Sequence, residues 1–317
     1  MNNIEILKFI PVQKITIDLE DVGQRLDNYL IRILKGLPRT RIYSMVRTGE
    51  LRINKGRVKP LYKLQLGDII RIPPLHLQPK VPIDCSKIHR FKILECILYE
   101  DEQIIILNKP AGLAVHGGSG LSFGLIEAMR LARPELKSLE LVHRLDKDTS
   151  GCIMLAKKRS LLKYLHQCFI NTSIKKNYSL LIKGAWSGPN SIDVSLTKNI
   201  LISGERMVKV DLEGQSSKTH FRVLKKFRHA SLVEAHPISG RTHQIRVHAK
   251  HAGHPILGDP KYGQEDANLE FKKKGLKRMF LHASQLTIPL PYLTKPLQVK
   301  AELELSLQKL LILLEQE

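Results

Sequence analysis

No stretch of this chain stays apolar for long. The longest runs, such as Leu310 to Leu314, fall far short of the about 20 residues a membrane-spanning helix needs. Met1 to Gln13 lacks the basic start and continuous apolar core of a secretory signal, so a cytoplasmic location with no membrane partner is expected. Cysteine is scarce too. Cys85, Cys96, Cys152 and Cys168 make no C-x-x-C pair and no zinc-like spacing, and they read as buried apolar thiols rather than disulfides or metal ligands. Acid is the third deficit. Thirty Asp and Glu stand against 51 Lys and Arg, leaving a formal net charge of +21 and a pI near 9.8. Such an excess favours a polyanionic partner, because every phosphate neutralised by Lys or Arg releases condensed counterions. With the membrane set aside, that partner is nucleic acid. The acids are also scattered, which argues against a metal-dependent nuclease.

What remains is ample for two domains: 317 residues, 43% hydrophobic and 26% charged. Gly23 to Asp27 leads into Leu26, Tyr29, Leu30, Ile33 and Leu34, which share one face at helical period. Gly36 and Pro38 end that helix, and a second begins near Thr40 with Ile42, Met45 and Val46 inward. Leu51 to Val58 reads as a strand, an Asn-Lys-Gly turn and a returning strand, and Ile69 to Ile72 alternates as a further strand. Between Arg39 and Lys63 lie eight basic residues (Arg39, Arg41, Arg47, Arg52, Lys55, Arg57, Lys59 and Lys63) against the single acid Glu50. Charge runs are usually solvated faces. This one is confined to a small helix–helix–hairpin unit, which favours RNA contact. Pro73 to Pro82 holds four prolines without periodicity and reads as a stiff linker, so the expected boundaries are 15–75, a linker at 76–92, and a second domain at 93–317.

The second domain has strand patterns at Ile104–Leu107, Cys152–Ala156, Tyr178–Lys183, His220–Leu224, Leu232–Ala235 and Phe280–Ile288. Helical patterns fall near Leu125–Ala132, Leu161–Ile170, Thr242–His251 and Leu303–Glu317. Strand and helix do not alternate regularly, so the fold class is α+β with a mainly antiparallel sheet and flanking helices. The densest polar string is Leu141 to Gly151, LVHRLDKDTSG: an apolar strand delivers a His-Arg-x-Asp cluster, then a Thr-Ser-Gly turn opens the next strand. Strand–turn junctions hold catalytic groups rigidly. An Asp in a turn is also commonly just a turn residue, and spacing alone favours that plainer reading of Asp146.

The R-L-D-x-Y-L opening (Arg25 to Leu30) and the hairpin from Ile53 to Pro60 resemble the S4 RNA-binding domain. His143-Arg-Leu-Asp-Lys-Asp-Thr-Ser-Gly151 resembles the H-R-L-D-x-x-T-S-G string of the RluA family of pseudouridine synthases. Ile105 to His116, Lys175 to Tyr178 and Ser239 to His248 resemble three further segments of that family, in order. The resemblance implies a catalytic domain after the S4 domain and an enzyme that isomerises uridine to pseudouridine in ribosomal RNA, either 23S RNA or the assembling large subunit. It implies no cofactor and no metal, since nothing is oxidised or hydrolysed. The chemistry needs a carboxylate near the sugar carbon C1′. By resemblance that is Asp146, with Arg246 pairing with it and Tyr178 stacking on the base and helping to remove the C5 proton. Arg144 would fill the place of the flipped uridine. His116 and Arg241 join Arg39, Arg41, Arg47, Arg52, Lys55, Arg57 and Lys59 as expected RNA contacts. The chain is expected to act as a monomer.

Two lures are set aside. His243, His248, His251 and His254 fit no zinc spacing, so RNA contact or packing is expected of them. Gly117 to Gly120 lacks the G-x-x-x-x-G-K-[ST] pattern of a nucleoside-triphosphate cradle. The competing reading is a non-enzymatic S4-containing RNA-binding protein of ribosome assembly; the Asp146, Tyr178 and Arg246 set weighs against it.

Overall fold

The computed structural model describes residues 8–34, 36–77, 92–117, 123–200 and 206–317. The chain divides into two compact units, 1–84 and 85–317. In the first unit β1 (Lys8–Ile10) and β2 (Gln13–Thr16) precede α1 (Leu26–Ile33), α2 (Arg39–Thr48), β3 (Arg52–Ile53), β4 (Ile69–Ile72) and β5 (Leu75–Leu77). The expected apolar faces are the buried ones: Leu26, Tyr29, Leu30 and Leu34 pack against Ile42, Met45 and Val46 in a single core. Gly49, at φ +77, ends α2 in the left-handed conformation that favours glycine.

Two expectations change here. Asn54 and Lys55 do make a tight turn, with φ of +49 and +70, closed by Ile53 and Gly56 bonding each other's backbone. The limb after it forms no returning strand, however. Ile53 buries its side chain by pairing β3 with β4, opposite Ile70, and Pro60 has no N–H to extend a ladder. Leu75–Leu77, placed in the proline linker by its flanks, instead pairs antiparallel with β1. It starts directly after Pro74, where a missing N–H costs no ladder bond. Residues 78–91, the rest of the expected linker, lie outside the described residues, as do Cys85 and Gly118 to Gly120.

The second unit opens with a 3-10 turn at Ile93–Cys96 and continues through β6 (Ile97–Glu100), β7 (Ile104–Lys109), α3 (Leu125–Ala132), β8 (Glu140–Leu141), β9 (Ser150–Ala156) and α4 (Arg159–Ile170). Then come β10 (Lys175–Lys183), β11 (Ser191–Asp193), β12 (Leu196–Ile200), β13 (Arg206–Val210), β14 (Lys218–Lys226) and β15 (Ala230–Pro237). The chain ends with α5 (Gln244–His251), α6 (Glu265–Lys273), β16 (Leu281–Ile288), β17 (Leu297–Lys300) and α7 (Leu305–Glu315). The main sheet runs β11-β14-β15-β10-β16-β9-β7-β6, with β17 beside β16 and β8 beside β9. Every pair but one is antiparallel, so the unit is α+β as its pattern indicates. Cys152 and Cys168 are buried; Cys96 is partly exposed, because only Ile93 of its short turn faces the core. Among the described residues no helix is long and apolar enough to cross a membrane.

The exception, β9 against β16, matters most. Ser150 lies opposite His282, and His282 lies opposite Ser179 of β10, so three strands from distant parts of the sequence align in one row. Ser150 and Gly151, expected in a turn, are the first residues of β9. Gly151 sits at φ +109, and a Cβ there would lie 2.2 Å from the Ala283 carbonyl oxygen, so only glycine permits the close approach. Ahead of this row the strand expected before Asp146 shrinks to Glu140–Leu141, and the chain from Val142 to Thr149 is irregular.

Candidate active site

A cleft of about 600 Å³ opens on this irregular segment. Its walls are residues 143–146 and Thr149, the end of α4 with Thr172, Lys176 and Tyr178 of β10, and the turn from Pro237 into α5. Asp146, Tyr178 and Arg246, predicted from three separate motifs, all line it.

Each is held by local structure. His143 accepts a hydrogen bond from the Met154 amide at 3.1 Å, which fastens the loop to β9. Burial, assisted by nearby Lys176, pushes His143 down to about 3, so the ring is neutral and free to accept that bond. Lys109 of β7 is fully buried and donates to the carbonyls of Pro110, Leu113 and Lys147, tying the loop from the other side. Burial pulls its ammonium down to about 7. Three carbonyl acceptors match the three N–H bonds of the charged form, so geometry favours the ammonium over that value. Asp146 is thus displayed on a loop clamped at both ends, with 22% of its side chain exposed to the cleft.

Arg246 lies within the first turn of α5. Gln244 anchors that helix start: its amide donates to Lys218 O and Thr219 Oγ1, and its oxygen accepts from Ser239 Oγ and the Arg241 amide. Ile245 and Ala249 bury the other face of α5 against β10, β14 and β15. Arg246 lines the cleft. Its Nε and Nη2 each donate to Asp259 at 2.7 Å, while Nη1 reaches Asp146 Oδ2 at 3.4 Å. Burial alone would raise the Asp259 carboxyl; bonds and charge from Arg246, with the Lys261 and Tyr262 amides, outweigh it and hold Asp259 below the ordinary carboxylate range. Asp259 and Tyr262 were not singled out in the sequence.

Tyr178 faces the same cleft. Burial, then the charge of Asp146, raises its phenol well above the usual value. The hydroxyl is therefore protonated at neutral pH and able to donate a hydrogen bond. Lys176, two residues earlier on β10, was also not singled out; burial lowers it to about 8, and it donates to Ser239 O.

Arg144 is exposed at the rim of the cleft and also lines an adjoining hollow of about 450 Å³ with His116. Arg241 is exposed at the cleft edge, its Nε donating to Ser216 O. Arg39, Arg47, Arg52, Lys55, Arg57 and Lys59 are exposed in the first unit. Arg41 departs from that set: a bidentate pair with Glu50, at 2.9 and 2.6 Å, already engages its guanidinium. Among the described residues no group of three or more His, Cys, Asp and Glu is arranged to hold a metal. The histidines of the α5 region diverge, His243 toward Tyr262, His248 toward Ser217 and His254 toward Ser187.

Residues 103–251 match the sequence model of a family described as RNA pseudouridylate synthase, and residues 24–70 match that of the S4 domain. The chain is 49% identical over 306 residues to ribosomal large subunit pseudouridine synthase C of Yersinia pestis, covering 96% of both chains. It is 46% identical over 306 residues to the protein of that name in Escherichia coli, covering 95% of this chain and 96% of the other. Among solved structures it resembles human RNA pseudouridylate synthase domain containing 4, with a TM-score of 0.57 and 26% identity, over 71% of this chain and 95% of that one.

Proposed function

The chain belongs to the RNA pseudouridylate synthase family, with an S4 domain ahead of the catalytic one, and from that premise we propose that it isomerises specific uridines of large-subunit (23S) ribosomal RNA without a cofactor. The observation that carries this reading is Asp146, clamped on its loop, facing the cleft, with the Arg246 guanidinium 3.4 Å away. Isomerisation breaks the N-glycosidic bond, turns the uracil and joins C5 to the same sugar carbon. A carboxylate at that carbon serves the first step, and the fixed guanidinium beside it holds it in place. Drawing the uridine into the cleft costs a few kcal/mol of unstacking, about the range for base-flipping enzymes. Arg144, at the rim, stacks in the vacated place, and the Tyr178 ring stacks on the extracted uracil.

The basic residues of the amino-terminal domain, residues 15–75, act on affinity and placement through phosphate contacts by Arg39, Arg47, Arg52, Lys55, Arg57 and Lys59. His116 and Arg241 add contacts near the cleft. The enzyme works as a monomer in the cytoplasm. Mapping of pseudouridine in 23S RNA from cells lacking the protein tests the substrate: specific sites should be unmodified, and return with the wild-type gene but not with the Asp146→Asn gene. A modification map identical to that of the parent strain would overturn the ribosomal assignment.

A second expectation concerns Tyr178. Tyr178→Phe keeps the stacking ring, so RNA affinity should hold, while loss of one hydrogen-bond donor should slow single-turnover conversion roughly tenfold. Because burial and Asp146 keep the phenol protonated, that ratio to wild type should be the same at about pH 7 and about pH 9. A deficit that grows with pH would mean the phenolate is the active form.

A further inference from the structure

Two donors converge on one oxygen of Asp146. Arg246 Nη1 lies 3.4 Å and His243 Nε2 3.7 Å from Oδ2, while Oδ1 has no hydrogen-bond partner among the described residues. The carboxylate is thereby oriented, with both nearby N–H groups on Oδ2 and none on Oδ1.

His243 occupies an unusual place for this. It precedes the first residue of α5 at φ +54, in the left-handed region that bulky residues avoid. Its other nitrogen is also occupied. Nδ1 lies 2.8 Å from the Tyr262 hydroxyl, and that hydroxyl already accepts the Val208 amide at 2.9 Å. The hydroxyl's own proton has no acceptor other than Nδ1 among the described residues, so the hydroxyl donates to Nδ1. The ring proton is then on Nε2, the nitrogen that faces Asp146. Burial pushes His243 down, against the pull of Asp146 and with that of Arg246 and Lys261, so the ring is neutral and carries only this one N–H. The same tyrosine braces both donors, its ring lying 4.9 Å from the Arg246 guanidinium and edge-on to His243 at 5.5 Å.

Resting on the reading of Asp146 as the reactive carboxylate, we propose that His243 is a positioning residue, whose Nε2–H holds Oδ2 so that Oδ1 is presented to the substrate sugar. The separation of 3.7 Å exceeds a formed hydrogen bond. Catalytic contacts of this kind tighten when substrate closes the site.

His243→Asn removes the donor and suits the local backbone, since Asn tolerates positive φ and is too short to reach Oδ2. Turnover should fall roughly 10- to 100-fold, the worth of one hydrogen bond to a charged group, with KM and RNA affinity little changed. His243→Gln extends an amide N–H about as far as Nε2 and should recover much of the loss. In wild-type protein with nitrogen-15-labelled histidine, the His243 ring should show the Nε2–H tautomer, and Tyr262→Phe should mix the tautomers. An Nδ1–H tautomer in the wild type overturns the proposal. So does a His243→Asn enzyme as fast as wild type, or a His243→Gln enzyme no faster than the Asn variant when both melt like wild type. Asp146→Asn in the same assay separates the two levels. If it is inactive while His243→Asn is fast, only the role of His243 fails; if Asp146→Asn itself is active, the reading of the whole site fails.

Discussion

Purified Asp146→Asn protein is expected to make no pseudouridine while binding ribosomal RNA as tightly as wild type. The amide keeps the shape of the side chain but can neither attack a sugar carbon nor accept its proton, and losing such a group costs roughly 10⁴-fold or more. The fold should not suffer. Arg246 keeps its two bonds to Asp259, and the Asp146 side chain is partly exposed, so no buried charge is left without a partner. Affinity should hold or rise slightly, since one negative charge is removed from a site that receives a polyanion. Asp146→Ala belongs beside it as a guard against deamidation of the new asparagine. Conversion near the wild-type rate by both variants, measured under single-turnover conditions, would remove Asp146 from the chemistry and return the site to the plainer reading of a turn aspartate.

That plainer reading shows how far the sequence reaches. The strands at Ile104 and Cys152 were legible as short continuous apolar runs, and the strand at Leu232 and the helix at Leu125–Ala132 because their side chains carry the period of the element. The helix Glu265–Lys273 was not, since only Ala267 and Phe271 of its nine residues are buried and the rest is polar. Nor were the short strands Leu196–Ile200 and Arg206–Val210, which pair mainly with each other and alternate weakly. In the site the split is sharper. Asp146, Tyr178 and Arg246 each stand in a dense motif that resembles the family, so they could be named without geometry. Asp259 and Tyr262 act only through what they touch. Asp259 is 13 positions from Arg246, and Tyr262 is 19 from His243; no local period links them. The alignment of Ser150 with His282 joins residues 132 apart, and no local pattern announces it. The pair between Arg41 and Glu50 was hidden for another reason: charge counting does not show which acid a basic residue meets.

Arg246→Met is expected to cost activity and stability together, and the two can be separated. The rate should fall roughly a thousandfold, as when one fixed donor is taken from a developing charge, because Asp146 loses the cation that orients it. Stability should fall as well, which the sequence alone does not suggest. Asp259 is fully buried, and without Arg246 its carboxylate has no counter-charge, a loss of about 3–5 kcal/mol for one partner of a buried pair. The pH dependence should change sign. In the wild type Asp259 is held below the ordinary carboxylate range, so its contribution is present above the unfolded value near 3.8 and is lost as pH falls through the lower folded value. In Arg246→Met burial is no longer outweighed and the folded value rises. The folded state then binds more protons than the unfolded one, so stability falls as pH rises between the two values. Denaturant melts should therefore show the Asp259 contribution of wild type falling only below about pH 4, and the variant losing stability relative to wild type as pH rises above it. Adding Asp259→Asn removes the stranded charge while keeping an acceptor for the Lys261 and Tyr262 amides. The double variant should regain much of the stability and stay as slow as Arg246→Met. If activity returned with stability, Arg246 would serve the fold alone. If Arg241→Met were inactive while Arg246→Met turned over near the wild-type rate, the two arginines of this segment would have exchanged roles.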